Sequence, residues 1–211
     1  MRNKRGAAKW VKISLVVLAL CFFTLFCTLA LGAFWIFSVT TNPSCVQSAA
    51  SSFMTISDPL PNGLRYLYGF SIFNRPYVRI ISSDLLTFHT FFEVVDTDLP
   101  AEQAVERIIE RAREGEVPGT FGVSSRRTIA VASKGMLKVG KQNIPYVIGH
   151  VDEPVTGDKK AVNTFISAFK TPSKGRAIVL LVERQTPANI TSEPLTITKV
   201  RALTDAIESF K

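Results

Sequence analysis

Hydrophobic and polar positions change their pattern twice along the chain. Residues 13–38, ISLVVLALCFFTLFCTLALGAFWIFS, hold no Asp, Glu, Lys, Arg or His. At 1.5 Å per residue such a helix is about 39 Å long, against the ~30 Å hydrocarbon core of a bilayer, so the pattern predicts a transmembrane helix with room to tilt. Residues 39–52 are small and polar, carry no periodic apolar face and read as a flexible tether. From residue 53 the dominant period is two.

Short β-rich runs are expected at 53–57, 64–72, 77–82 and 85–95. In the last of these Leu86, Phe88, Thr90, Phe92 and Val94 share one face, with Leu85, Thr87, His89, Phe91 and Glu93 on the other. A helix interrupts, entered through Asp98-Leu99-Pro100 and ended by Gly115, with Ala101, Ala104, Val105, Ile108, Ile109 and Ala112 at helical spacing. Further strands follow at 126–133, 136–139, 144–152, 161–171 and 176–184, the first two separated by a turn at Lys134-Gly135. The run Ala177-Ile178-Val179-Leu180-Leu181-Val182 is apolar on both faces and predicts a central strand covered on both sides. The chain is expected to end in a second amphipathic helix, with Ile197, Val200, Leu203, Ile207 and Phe210 as its buried stripe. Runs of strands with single helices, rather than strict alternation, make this an α+β chain: one N-terminal transmembrane helix, then a mainly antiparallel sheet with two main amphipathic helices packed on it.

Charge converts the apolar run into a topology. The formal net charge is +8, but Arg2, Lys4, Arg5, Lys9 and Lys12 all precede the span and no acidic residue does. Removing those five from the 25 basic residues leaves 20 against 17 acidic ones, an ordinary mixed surface that gives no reason to expect nucleic acid as a partner. Short Lys- and Arg-rich ends stay cytoplasmic, so residues 1–12 are expected inside, and the domain of residues 53–211 outside, in a periplasm or the cell exterior. Trp10 and Lys12 at the entry and Trp35 near the exit are placed as interfacial anchors. A cleaved signal peptide shares the basic start, but its apolar region is shorter, and here the run continues through Ala33-Phe34-Trp35-Ile36-Phe37.

Candidate chemistry is sparse. The chain has two histidines. His89 lies among Phe88, Phe91 and Phe92 and reads as a partly buried side chain bonded to a neighbour. His150 and Asp152, at i and i+2 of a strand, share a face and are weak candidates for holding a cation, short of the three or four ligands a metal needs. Nucleophile-elbow and phosphate-loop motifs are absent, so no catalytic residue and no cofactor is assigned. Ser124-Ser125-Arg126-Arg127 reads as solvated charge, and Glu102, Glu106 and Glu110 as the polar face of a helix. Of three cysteines, Cys21 and Cys27 lie in the span, whereas Cys45 stands outside it, where it could link two protomers as a homodimer. Asn189-Ile190-Thr191 is a formal glycosylation sequon.

The order of pieces over about residues 53–211 resembles the PsbP-like domains, a group that includes the bacterial DcrB-like lipoproteins. The resemblance rests on an initial strand before Leu60-Pro61-Asn62-Gly63, the helix entered at Asp98-Leu99-Pro100, the run Gly140-Lys141-Gln142-Asn143-Ile144-Pro145-Tyr146-Val147-Ile148-Gly149, a final hairpin, and a terminal helix ending Ala206-Ile207-Glu208-Ser209-Phe210. It implies an α/β/α sandwich and an exported binding or assembly factor at a membrane complex, and brings no catalytic residues. The expectation is a membrane-anchored, extracytoplasmic, non-enzymatic accessory protein whose partners are the bilayer and another envelope or membrane protein. Two alternatives are an anchored hydrolase or metal-dependent enzyme using His150, and a subunit acting through the Cys21, Thr24, Cys27, Thr28 and Gly32 face of its span.

Overall fold

The computed structural model describes residues 4–61, 63–72, 74–94, 99–119, 127–153, 160–172, 175–185 and 195–211, with the side chains of 4–13, 72, 152, 153, 160 and 161 outside that description. The chain divides into an N-terminal unit and a second unit, Thr41–Lys211.

The first unit runs to Thr40 and consists of helix α1, Lys4–Thr41, whose last residue is counted with the second unit. Its stretch Ser14–Thr41, 28 residues of which none is buried, reaches a mean hydropathy of 2.6 over its most apolar 18 residues and is long and apolar enough to cross a membrane. Trp35 is exposed on it, while the side chains of Trp10 and Lys12 lie outside the described residues.

The stretch expected to be a tether is ordered helix instead. After Thr41 the chain breaks for one residue, Asn42, and restarts as α2, Pro43–Ser51. Asn42 caps it, its side-chain oxygen accepting the Ser44 N–H at 3.1 Å, and Pro43 fills the first turn, where no N–H is needed. Val46, Ala49 and Ala50, at i, i+3 and i+4, are buried. A face this narrow and small-sided is hard to tell from a polar spacer in sequence, yet it suits close packing. A Cβ built on Gly69 would lie 2.8 Å from Val46 Cγ1, so the helix rests where a side chain would stand.

Nine strands follow among the described residues. They are β1 (Met54–Ile56), β2 (Arg65–Ile72), β3 (Arg75–Ile81), β4 (Thr87–Glu93), β5 (Ile129–Val139), β6 (Gln142–Glu153), β7 (Lys160–Lys170), β8 (Ala177–Gln185) and β9 (Ile207–Phe210). Helix α3, Ala101–Arg113, separates β4 from β5, and α4, Ile197–Thr204, separates β8 from β9. Seven strands form one sheet in the order β2-β3-β4-β8-β7-β6-β5, and every pairing in it is antiparallel. The fold is therefore α+β. The first three strands meander to the middle, α3 carries the chain to the far edge, and the last four meander back until β8 lies against β4.

Two expectations about strands fail informatively. Lys134-Gly135 is not a turn: β5 runs straight through it with a register shift between Val131 and Ser133. Gly135 is there for its missing side chain, since a Cβ would come within 2.8 Å of the Tyr146 hydroxyl on the paired strand. The terminal amphipathic helix stops at Thr204, and Ile207–Phe210 becomes β9, which pairs with β1 in register Met54↔Phe210. Apolar residues three apart fit a helix face, but they also fit the buried ends of a four-residue strand, and the unpaired backbone of β1 takes the strand.

The middle of the sheet is buried on both faces. On β8, Ile178, Leu180 and Val182 enter one core with α2, α4, β1 and β9 residues, while Val179 and Leu181 enter the other with α3. All five are 3% exposed or less, so each contributes about 1.5–3 kcal/mol of burial. This is the covered central strand the sequence predicts. Helix α3 lays Ala104, Ile108, Ile109 and Ala112 inward and ends at Gly115, φ +100°, as expected. It opens at Ala101 with Pro100 as its N-cap, and Asp98 lies outside the described residues.

Candidate functional site

A row of polar residues crosses the face of the sheet that carries α4. Cross-strand register places Thr87 of β4 opposite Arg184 of β8, Arg184 opposite Asn163 of β7, and Asn163 opposite His150 of β6. Each stands an even number of residues from a member of the α2/α4 core, namely Phe91, Val182, Phe165 and Tyr146, so all four project to that side. At ~4.8 Å between strands the row spans about 14 Å.

At one end a charge pair is built into a turn. Arg184 Nη1 donates to Asp84 Oδ2 at 2.7 Å and to Thr87 Oγ1 at 3.1 Å. Asp84 lies in the turn between β3 and β4, where its Oδ1 accepts the Leu86 N–H at 2.9 Å, the Thr87 N–H at 3.3 Å and the Ser82 hydroxyl. Partial burial alone would raise the Asp84 pKa, but the hydrogen bonds from Ser82, Leu86 and Arg184 outweigh it and lower it to about 2. The carboxylate is therefore ionised at any ordinary pH, and Arg184, 14% exposed, is held in one orientation.

Beside this pair lies His89, two residues along β4 on the same face and 1% exposed. Its Nδ1 is buried with no hydrogen-bond partner. Burial lowers its pKa to about 4, against the opposing pull of Asp84, so the ring is neutral at pH 7. The expectation of a histidine bonded to a neighbour is thus corrected: His89 is fully buried, and the nitrogen is left over. A cavity of about 270 Å³ opens against it, bordered also by Asp84, Arg184, Leu64, Lys199 and Ala202.

At the other end the row is an imidazole beside an amide. His150 Nδ1 lies 3.5 Å from Asn163 Oδ1, and both border a cavity of about 380 Å³ closed by Thr196 and Ile197 at the start of α4. Asp152 follows on the same strand, paired in register with Ala161, and its side chain lies outside the described residues. His150 is brought to Asn163, a partner the sequence did not nominate, and among the described residues no three His, Cys, Asp or Glu side chains converge as metal ligands.

The remaining expected sites are dispersed. Cys45 is exposed in the first turn of α2 with a free thiol. Arg127 is not solvated charge: its Nη1 meets Glu183 Oε1 at 2.6 Å. Glu102, Glu106 and Glu110 are exposed on α3, with Glu102 paired to Lys170. In the span, Thr24 and Thr28 spend their hydroxyls on carbonyls of their own helix. Asn189 lies outside the described residues. The pattern nominated neither Asp84, Arg184 nor Asn163. One signal was present: Arg184 falls at a core-facing position of a strand otherwise apolar on that face, and Asn163 shares its face of β7 with the buried Phe165 and Phe169, and a polar residue in such a place must have a partner.

No family model matches the chain, and no curated protein matches it.

Proposed function

We propose that this protein is a single-pass membrane protein, its basic N-terminus in the cytoplasm and its α+β domain on the other side, where the domain binds or scaffolds another envelope or membrane protein and performs no catalysis. The observation that carries this reading is the direct junction of a 28-residue apolar helix to a folded domain, with only Asn42 between the helix ending at Thr41 and the one beginning at Pro43. The absence of acidic residues before the span and its Arg and Lys residues support the orientation. The layout resemblance to PsbP-like and DcrB-like domains supports an accessory role. The α/β/α sandwich it implies is consistent with α3 over one core and α2 and α4 over the other. Exposed Cys45 gives a disulfide-linked homodimer a route in an oxidising compartment.

Cys45 also supplies the test. Cys21 and Cys27 fall in the apolar stretch, so a membrane-impermeant maleimide added to intact spheroplasts should modify the wild-type chain and leave Cys45→Ser untouched. The spheroplasts are first treated with a membrane-impermeant phosphine, which frees Cys45 from any disulfide; labelling only after permeabilisation then reverses the orientation and removes the proposal. Crosslinking in native membranes should then join the domain to a second membrane or envelope protein.

A further inference from the structure

Strand β5 closes one side of the seven-stranded sheet, and among the described residues it pairs along its length with β6 alone. Its start is held by the chain before it: the Ile129 N–H donates to the Gly115 carbonyl at 2.8 Å, and Thr128 bridges to Glu116. Just past its end, Gly140 lies against the Glu208 carbonyl. Between these points the backbone of residues 130–139 bonds only to β6. In an antiparallel pair every second residue turns its N–H and C=O away from its neighbour, so the outer edge is a row of unused donors and acceptors. The register shift between Val131 and Ser133 disturbs the first part of that edge, and residues 133–139 beyond it keep regular pairing. At ~3.3 Å per residue that stretch is about 23 Å long, room for a strand of ordinary length.

The side chains say which strand would fit. Leu137 and Val139 are buried in the core on one face, so Lys134, Met136 and Lys138 stand on the other. All three are exposed, Met136 by 60%. The β6 residues opposite them, Val147, Pro145 and Asn143, carry no charge, and among the described residues neither lysine is paired with a carboxylate. β5 itself contains no Asp or Glu. Lysines on an edge strand oppose indiscriminate pairing, and the same charges discriminate between partners. A second copy brought in antiparallel, with Met136 against Met136, would set Lys134 opposite Lys138 on both sides of the centre, which is repulsive. A strand with a carboxylate at each of those two places and an apolar residue between them is attracted.

We propose that the outer edge of β5 is the surface on which the domain docks an extended acidic segment of its partner protein. The segment adds to the sheet as a further strand, with acidic side chains against Lys134 and Lys138 and an apolar one against Met136. This surface rests on the partner-binding role proposed above and gives that role a place on the domain.

The probe is the end-capped peptide Thr-Glu-Thr-Val-Thr-Glu-Thr, whose symmetry makes strand direction immaterial, added to the full chain in nanodiscs of zwitterionic lipid. The chain has three methionines, so the methyl signal of Met136 in a methionine-labelled sample is assigned by comparison with Met136→Leu. The peptide should shift the Met136 signal saturably and leave that of the buried Met54 in place. The control Thr-Lys-Thr-Val-Thr-Lys-Thr should not bind. Methylating backbone nitrogens of the acidic peptide separates strand addition from plain charge attraction. One alternate set of N–H groups faces β5, so its methylation should abolish binding, and methylation of the other set should not. Lys134→Glu combined with Lys138→Glu should weaken the acidic peptide by about tenfold, the loss of two exposed charge pairs, and make the lysine peptide the better ligand, which also shows that the variant is folded. No saturable shift, equal binding of the acidic and lysine peptides to wild type, the same response to both methylated peptides, or an unchanged preference in the double variant would overturn the proposal. Such a failure leaves Cys45 labelling and crosslinking in native membranes as they stand, and those can fail while the peptide still binds.

Discussion

The two ends of the polar row carry a histidine each, on the same face of the same sheet, and the two are handled in opposite ways. His150, on β6, is half-buried and sits beside the amide of Asn163 at 3.5 Å. His89, on β4, is sealed in, is driven neutral by burial, and keeps an unpaired nitrogen beside a fixed Asp84–Arg184 pair. The difference follows from position. β4 lies in the middle of the sheet between β3 and β8, and its residues are covered on both faces, whereas β6 is next to the edge. A histidine's chemistry here is set by how far its strand lies from the sheet edge and by what covers it, and its neighbours in sequence do not reveal either.

The comparison is most easily broken by pH. His89 has a folded-state pKa of about 4 against an ordinary 6.5, so the unfolded chain takes up a proton first as pH falls. Stability is full above 6.5 and is lost between 6.5 and 4, by up to about 3 kcal/mol. Melting curves from pH 7.5 to 4.5 should show this loss in wild type and in His150→Asn, and a flatter profile in His89→Phe. Asp84 acts in a lower window: its folded pKa of about 2 lies below an ordinary 3.8, so its contribution is present above 3.8 and lost as pH falls through 2. Asp84→Asn should remove that acid-limb loss.

The charge pair gives the next largest contrast. Arg184→Ala removes the charge-assisted hydrogen bond to Asp84 and the one to Thr87; because the carboxylate is 39% exposed and regains water, the domain should be destabilised by about 1.5 kcal/mol, read as a lowered melting temperature of the full chain. His150→Ala should cost less than about 1 kcal/mol, since the ring is half-exposed and water can take the place it leaves beside Asn163. Equal effects would mean that the two ends are not distinct.

The smallest effect is the sharpest. Asp84→Ala combined with Arg184→Ala should be less damaging than the sum of the two, with a coupling of about 1 kcal/mol. Asp84→Ala with His150→Ala should be additive within about 0.5 kcal/mol, because the row separates them by three strand spacings.

Much of the scaffold was legible. The apolar helix, most of the strands, the inward face of α3 and the two-sided burial of β8 all follow from period and composition, because each is a local pattern repeated over many residues. The candidate site was not. His150 was nominated beside Asp152, and its observed partner is Asn163, thirteen residues away across a strand pair. His89 was read as bonded, but no sequence neighbour could show that Nδ1 ends up unpaired. Asp84 and Arg184 are separated by 100 residues and meet only because β8 returns to β4.

By itself the sequence determined that a long uncharged helix follows a basic start, that an alternating β-rich domain follows the helix, and that one strand of it is central. Hydrophobic burial and backbone pairing are enforced residue by residue, so they leave a mark in the local pattern. Only the tertiary structure decided that residues 43–51 are a helix of the domain, that the chain ends in a strand against β1, and that Thr87, Arg184, Asn163 and His150 form one row. Those outcomes depend on which distant backbone needs a partner and which glycine leaves room, and they are settled when the strands take their order in the sheet.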